Sequence, residues 1–363
     1  MNVNLNIGRV LGAQLKVHWT FFLLIIWIVV HELQRGGYAS SVLFNIALVL
    51  AIFIGVILHE LGHAFMAKRF GVRTTKITLL PIGGIAHWNP REIPPKHEIL
   101  IVLAGPFVNL VLALLLYFTI PIHSLYRQSF TDAYEVFASF SFQNFLFFIF
   151  LINAGLVLVN MLPAFPLDGG RLLRALLDLR LKPAKATQIA TSLGQVIAIA
   201  FLLLGLLYHP VLIFIALFIF FSAYTENLNV QHTTLLKGHT VEEAMLLNIT
   251  TFKPKDSIDL VVNTIISGTE INFIVVESGH IKGLLNHGKI IEHSAKNVLV
   301  EAVMDPEFKT VNALDDLSVV YPLIYAHKQT LFPVVHQGRL IGAIDTINLN
   351  EYIALQTKLT YKL

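Results

Sequence analysis

Cysteine is absent from the 363-residue chain. That excludes disulfides and thiolate metal ligands, so any bound metal must be held by histidine nitrogen or carboxylate oxygen. Charge is scarce as well: Asp, Glu, Lys and Arg make up 13% of the residues, against about 25% in an ordinary soluble domain. The formal net charge is only +3, and no basic patch interleaved with aromatics is present, which argues against nucleic acid as a partner. Residues 1–16 alternate apolar and polar side chains and lack the apolar core of a cleavable signal peptide, so the first apolar stretch is expected to serve as both anchor and signal. What the chain has in abundance is hydrophobic surface. The 55% apolar content and mean hydropathy of +0.69 describe an integral membrane protein.

Apolar stretches at 17–30, 42–65, 99–120, 140–162, 189–207 and 211–224 give about six candidate spans. The last is short, with His209-Pro210 as the turn before it. Basic residues cluster after the second span (Lys68, Arg69, Arg73, Lys76, Arg91, Lys96) and after the fourth (Arg171, Arg174, Arg180, Lys182, Lys185). The positive-inside rule places those loops in the cytosol and, with six crossings, both termini too. The expected location is the plasma membrane, with the bilayer itself as a partner.

Residues 59–63 read His-Glu-Leu-Gly-His at the end of the second span. Positions four apart on a helix are offset by about 40°, so His59 and His63 share one face and can hold one metal. Glu60 beside them can act as the base that takes a proton from a metal-activated water. His and Glu are expensive at membrane depth, and a zinc ion, one per chain, would compensate them. Such a site needs a third protein ligand. Asp168 is the best candidate, in a segment where Pro163 and Pro166 must break the fourth span and Gly169-Gly170 permit a sharp turn. The alternative is a loop aspartate that only caps the helix from Arg171 onward. Asn109 and Asn160 are amides in apolar spans that either contact substrate at the developing oxyanion or bind helix to helix. Residues 76–88 read as strand, Gly-Gly turn and strand, a membrane-associated β-hairpin whose edge could pair with an unwound substrate. His87 in it is an extra polar contact or an interfacial structural histidine beside Trp88.

Beyond Glu226 the composition becomes that of a soluble protein, and two similar segments follow in tandem. Val241-Glu242-Glu243-Ala244-Met245 is echoed by Val300-Glu301-Ala302-Val303-Met304, and Gly279-His280-Ile281-Lys282-Gly283 by Gly338-Arg339-Leu340-Ile341-Gly342. The pair resembles the cystathionine-β-synthase-type (CBS) domains that bind adenosine nucleotides, or it is a purely structural or dimerising pair. The positions that in CBS domains hold ribose and phosphate are here Asn286 and Lys289, and Asp345 and Asn348. Asp345 would repel phosphate while Lys289 would favour an anion, so the expectation is a module that senses a cytosolic ligand, with adenosine nucleotide in doubt, or that mediates a homodimer.

The chain as a whole resembles the site-2 protease family of intramembrane zinc metalloproteases, in its branch with a C-terminal CBS pair. The resemblance rests on His59-Glu60-x-x-His63, on Ala104-Gly105-Pro106-Phe107-Val108-Asn109, on Asn160-x-x-Pro163 leading to Asp168-Gly169-Gly170-Arg171, and on the opening Gly12 with Val17-His18-Trp19. It implies zinc ligands at His59, His63 and Asp168 and a catalytic base at Glu60. It also implies a single-span membrane protein as substrate, often already trimmed by another protease, in regulated intramembrane proteolysis. A CBS-regulated ion or solute transporter, with its metal site at the broken fourth span, is the rival reading. The expected architecture is a polytopic α-helical membrane domain over 1–225, a linker over 226–238, and a cytosolic α/β tandem pair over 239–295 and 296–363.

Overall fold

The computed structural model describes residues 4–36, 38–72, 74–80, 83–88, 93–120, 141–294, 298–327 and 329–360. It divides into two units, Met1–Asn227 and Leu228–Leu363.

In the first unit, five described helices are long and apolar enough to cross a bilayer. They are α2 (Ala39–Arg69), α3 (Pro95–Thr119), α4 (Phe142–Asn160), α6 (Pro183–Leu207) and α7 (Val211–Leu236), the last of which continues past the unit's end. The first expected span is a shorter helix, α1 (Thr20–Gln34), of 15 residues; at 1.5 Å per residue it is about 22 Å long, short of the ~30 Å hydrocarbon core. The reason lies in the residues before it. Ala13, Leu15 and Val17 are buried and alternate with half-exposed Gln14, Lys16 and His18, the period of a strand, so Val17 and His18 belong to β2 (Ala13–His18). Prolines set two helix starts, Pro95 and Pro183, where a missing N–H costs nothing. Ser141 caps α4 by accepting the Asn144 backbone N–H at 3.1 Å.

The expected hairpin is half of a larger sheet. β1 (Asn4–Val10), β2, β3 (Thr74–Leu80) and β4 (Gly83–Trp88) form one four-stranded sheet in that order. β2 and β3 run parallel, with Gln14 opposite Lys76 and Val17 opposite Leu79. The buried Ala13, Leu15, Val17, Ile77 and Leu79 pack on Phe53 and Ala64 of α2, so the sheet is held against the helix that carries the His-Glu-x-x-His motif. A short helix, α5 (Asp168–Asp178), follows α4 and packs on α3 and α6.

The second unit is an α/β pair. β5 (Thr251–Phe252), β6 (Phe273–Glu277) and β7 (His280–Leu285) form one three-stranded sheet; β8 (Val311–Asn312), β9 (Leu331–His336) and β10 (Arg339–Asp345) form the other. In each, the short first strand is parallel to the second and the last two make a hairpin. Helices α8 (Ile258–Ser267) and α9 (His287–His293) accompany the first sheet, α10 (Leu317–Ala326) and α11 (Thr346–Thr360) the second. The sequence repeats are not the packed bodies, because their opening segments are exchanged. Val241 and Ala244 sit in the core built by Val311, Phe332 and Ile344, while Val300 and Val303 sit with Phe252, Phe273 and Leu285. Ile274, Leu284, Leu331 and Ala343 then join the two sheets. A boundary at 295/296 therefore cuts through both cores, and the segment read as a linker, 226–238, is helical as far as Leu236, which is itself a core residue.

Candidate metal centre

The two histidines lie one turn apart near the basic end of α2, their Nε2 atoms 3.1 Å apart. Asp168, the first residue of α5, brings Oδ2 to 3.0 Å from His59 Nε2 and 3.2 Å from His63 Nε2. All three residues are buried. Among the described residues they are the one His, Asp or Glu cluster that could hold a metal ion, with ligand atoms all within 4.8 Å of one another.

The hydrogen bonding shows what the cluster is prepared to bind. His63 Nδ1 lies 2.7 Å from the Ile101 carbonyl, which can only accept, so Nδ1 carries the proton and Nε2 turns a lone pair toward the cluster. The ionised Asp168 oxygen opposite is also an acceptor. Lone-pair atoms held this close repel one another unless a proton or a cation lies among them. Ligands about 2.0–2.1 Å from a tetrahedral zinc stand about 3.3–3.4 Å from each other, so donor chemistry, spacing and burial fit that ion.

Two glycines make room. A methyl group on Gly105 of α3 would stand 2.5 Å from His63 Cε1 and 2.7 Å from His59 Nε2, so only glycine lets α3 pass beneath both imidazoles. One on Gly84 would stand 2.5 Å from Glu60 Cγ and 2.7 Å from its Oε1, which places the backbone of β4 directly against that carboxylate. Glu60 is buried and has no hydrogen-bond donor among the described residues. It is a proton acceptor with unused capacity beside the metal ligands.

The family model for peptidase family M50 matches residues 47–203, a stretch that contains both histidines, Glu60, Gly105 and Asp168. A zinc metalloprotease of Methanocaldococcus jannaschii is 31% identical over 350 residues, covering 96% of each chain. The chain belongs to peptidase family M50. As an M50 member with several bilayer-length helices it is a multi-pass membrane peptidase. Among solved structures, the site-2 protease of M. jannaschii is 33% identical and matches over 62% of this chain and 95% of its own, with a TM-score of 0.45. The CBS-pair protein CBSX2 of Arabidopsis thaliana is 22% identical over 33% of this chain and 97% of its own, with a TM-score of 0.31.

The remaining residues singled out in the sequence fall in three places. Asn109 of this M50 chain is fully buried on α3 with neither amide atom hydrogen-bonded, while Asn160 is half-buried at the end of α4. His87 lies in β4, its backbone paired with Lys76, and its side chain is outside the described residues. In the C-terminal pair, Asn286 donates to Asp305 at 2.8 Å and Lys289 is ion-paired with the same carboxylate. The one cation expected to attract an anion is thus already neutralised. Asp345 accepts the backbone N–H of Asn348 at 2.8 Å and caps α11.

Sequence reasoning gave no role to Ile101, Gly84 or Gly105, although Gly105 lies in a motif that carries the resemblance, and it missed a partly buried ion pair. Arg174 of α5 reaches Glu98 at the start of α3, and its other guanidinium nitrogen lies 3.9 Å from Glu226. In the sequence Arg174 reads only as one of the basic residues that mark membrane orientation. Glu98 has a 10% exposed side chain beside an apolar span, and a buried carboxylate needs a cation.

Proposed function

We propose that the protein is a zinc endopeptidase that cuts a transmembrane segment of a single-span membrane protein near the cytosolic side. The observation that carries this reading is the convergence of His59, His63 and Asp168 with an uncommitted Glu60 beside them. Zinc bound there would supply a Lewis acid that polarises the scissile carbonyl and lowers the pKa of the attacking water. Glu60 takes the proton of that water and passes it to the leaving amide nitrogen. The Ile101 carbonyl holds His63 in the tautomer that offers Nε2, and Gly105 keeps both rings in register.

Depth favours cleavage toward the basic end of α2. His63 is six residues from Arg69, about 9 Å along the helix. The basic residues there argue for a cytosolic position, with both termini and the C-terminal pair on the same side. β4 is an edge strand, and its Gly84 touches Glu60, so an unwound substrate backbone paired with β4 would lie beside the base. A helical peptide bond is shielded by its own hydrogen bonds, and pairing with a strand replaces them. The C-terminal pair is read as a modulator or dimer contact; the Asp305 lock on Asn286 and Lys289 argues against adenosine nucleotide as its resting ligand.

The test is cleavage of a reconstituted single-span substrate by wild type and Glu60→Gln, with zinc content measured in both. Retained zinc with activity lowered by at least 10²-fold is expected. Equal cleavage by the variant would remove the base assignment, and absence of zinc from both proteins would remove the site.

A further inference from the structure

A second polar site lies where α2 leaves the membrane. The end of α2, the β1–β2 turn and the start of β3 enclose an open cavity of about 730 Å³, lined by Arg9, Leu11, Gln14, Lys68 and Thr74 among others. Two cations face it, and neither Arg9 nor Lys68 has an acidic partner among the described residues. Two cations without acidic partners on one cavity of ligand size match a phosphate-bearing group, guanidinium and ammonium answering its charge.

The surroundings say where that phosphate comes from. Lys68 stands in the last, basic turn of a helix long and apolar enough to cross a bilayer, and basic residues after a span favour its anionic, water-facing side. The hairpin that supplies Arg9 also presents Leu5 and Ile7, 56% and 60% exposed, and its tip is Leu11, an exposed leucine at φ +53° on the lip of the cavity. An apolar side chain in the left-handed region at an exposed tip is a poor choice for a turn in water and a good one against lipid. We propose that this cavity binds the phosphodiester headgroup of an anionic phospholipid, with the β1 apolar face resting on the same leaflet. The β1–β4 sheet, whose far edge touches Glu60, is thereby fixed to the bilayer surface.

The test uses the full chain purified in a neutral detergent and titrated calorimetrically with short-chain phosphatidylglycerol. Short-chain phosphatidylcholine and inorganic phosphate are the comparison ligands. Saturable binding of phosphatidylglycerol near one per chain is expected, weakened roughly fivefold for each charge removed in Arg9→Gln, Lys68→Gln and the double variant. Lys182→Gln/Lys185→Gln, the same charge change on exposed residues outside the cavity, should leave it unaltered. Should the cation variants fail to fold, Thr75→Glu, which puts an anion on the exposed wall, is expected to abolish binding. Equal affinity for phosphatidylcholine, equal loss in the Lys182/Lys185 variant, or unchanged binding in all cavity variants would overturn the proposal. Full displacement by millimolar phosphate would overturn the lipid as its source. None of these results bears on the zinc site, which contains no residue of the cavity.

Discussion

Gly105→Ala adds a single methylene to α3, yet it should disable the centre. The new methyl would lie closest to His63 Nε2, with His63 Cε1 at 2.5 Å and His59 Nε2 at 2.7 Å, where ordinary contact begins at 3.4 Å, so the rings or α3 must give way by about 1 Å. α3 has little freedom to retreat. Its Ile101 carbonyl holds His63, its Glu98 is tied to Arg174 on the helix that begins with Asp168, and Ile101 and Val102 are fully buried. The imidazoles must therefore move, and supporting contacts of a metal site are worth about 10–100-fold in affinity when disturbed. Misplacement of a reacting group by about 1 Å costs about 10²-fold in rate. Zinc dissociation constants from competition with a chromogenic chelator, beside cleavage of a single-span substrate, read both effects. Gly155→Ala is the control, because a methyl on Gly155 meets nothing within 4 Å. If Gly105→Ala bound zinc as tightly as wild type and cleaved at the same rate, the side chains would not be arranged as described and the metal assignment would fall with them.

Arg174→Gln should destabilise the membrane unit by about 3–5 kcal/mol, because it strands the buried Glu98 carboxylate, and Glu98→Gln in the same chain should restore most of the loss in a thermal unfolding series. Asp305→Asn should free Lys289 and raise the affinity of the C-terminal pair for polyphosphate anions, measured by titration of the full chain with adenosine nucleotides; unchanged affinity would show that the ion pair does not govern the site. Glu243 is held down to about 2 by hydrogen bonds from His239, the Thr240 backbone and Tyr352. A depressed carboxylate stabilises the fold above its unfolded value of 4.5 and loses that contribution as pH falls from there toward 2, so Glu243→Gln should flatten the acid limb of the melting curve in that window.

The centre was legible because its chemistry is costly in its setting. Histidine and glutamate on an apolar helix need a reason, the spacing of four puts them on one face, and the broken span supplies the missing carboxylate. That logic finds ligands and misses what supports them. Ile101 acts through its backbone carbonyl, which every residue has, and Gly105 and Gly84 act through the absence of a side chain, so their letters, though present in the quoted segments, do not announce these roles. Residues 1–16 alternate apolar and polar side chains, but the alternation served only to exclude a signal peptide, and an alternating segment does not reveal its partner. β2 pairs in parallel with β3 from the far side of α2, across some sixty residues. The exchange of opening segments in the C-terminal pair was hidden for a related reason: a repeat in sequence marks what was duplicated, whereas packing follows which apolar faces meet.

Of the amides in the membrane unit's apolar helices, Asn153 donates to the Ile149 carbonyl at 2.8 Å and leaves only its Oδ1 unpaired, and Asn160 is half-buried. In Asn109 both amide atoms are buried and unpaired. It stands one turn beyond Gly105, on the same face of α3 as the glycine that admits the imidazoles. An amide buried without partners costs a few kcal/mol and is not tolerated for packing alone. Of the amide contacts expected from the sequence, it is the one with hydrogen-bonding capacity in reserve, and a water or a substrate carbonyl entering beside Gly105 would use it.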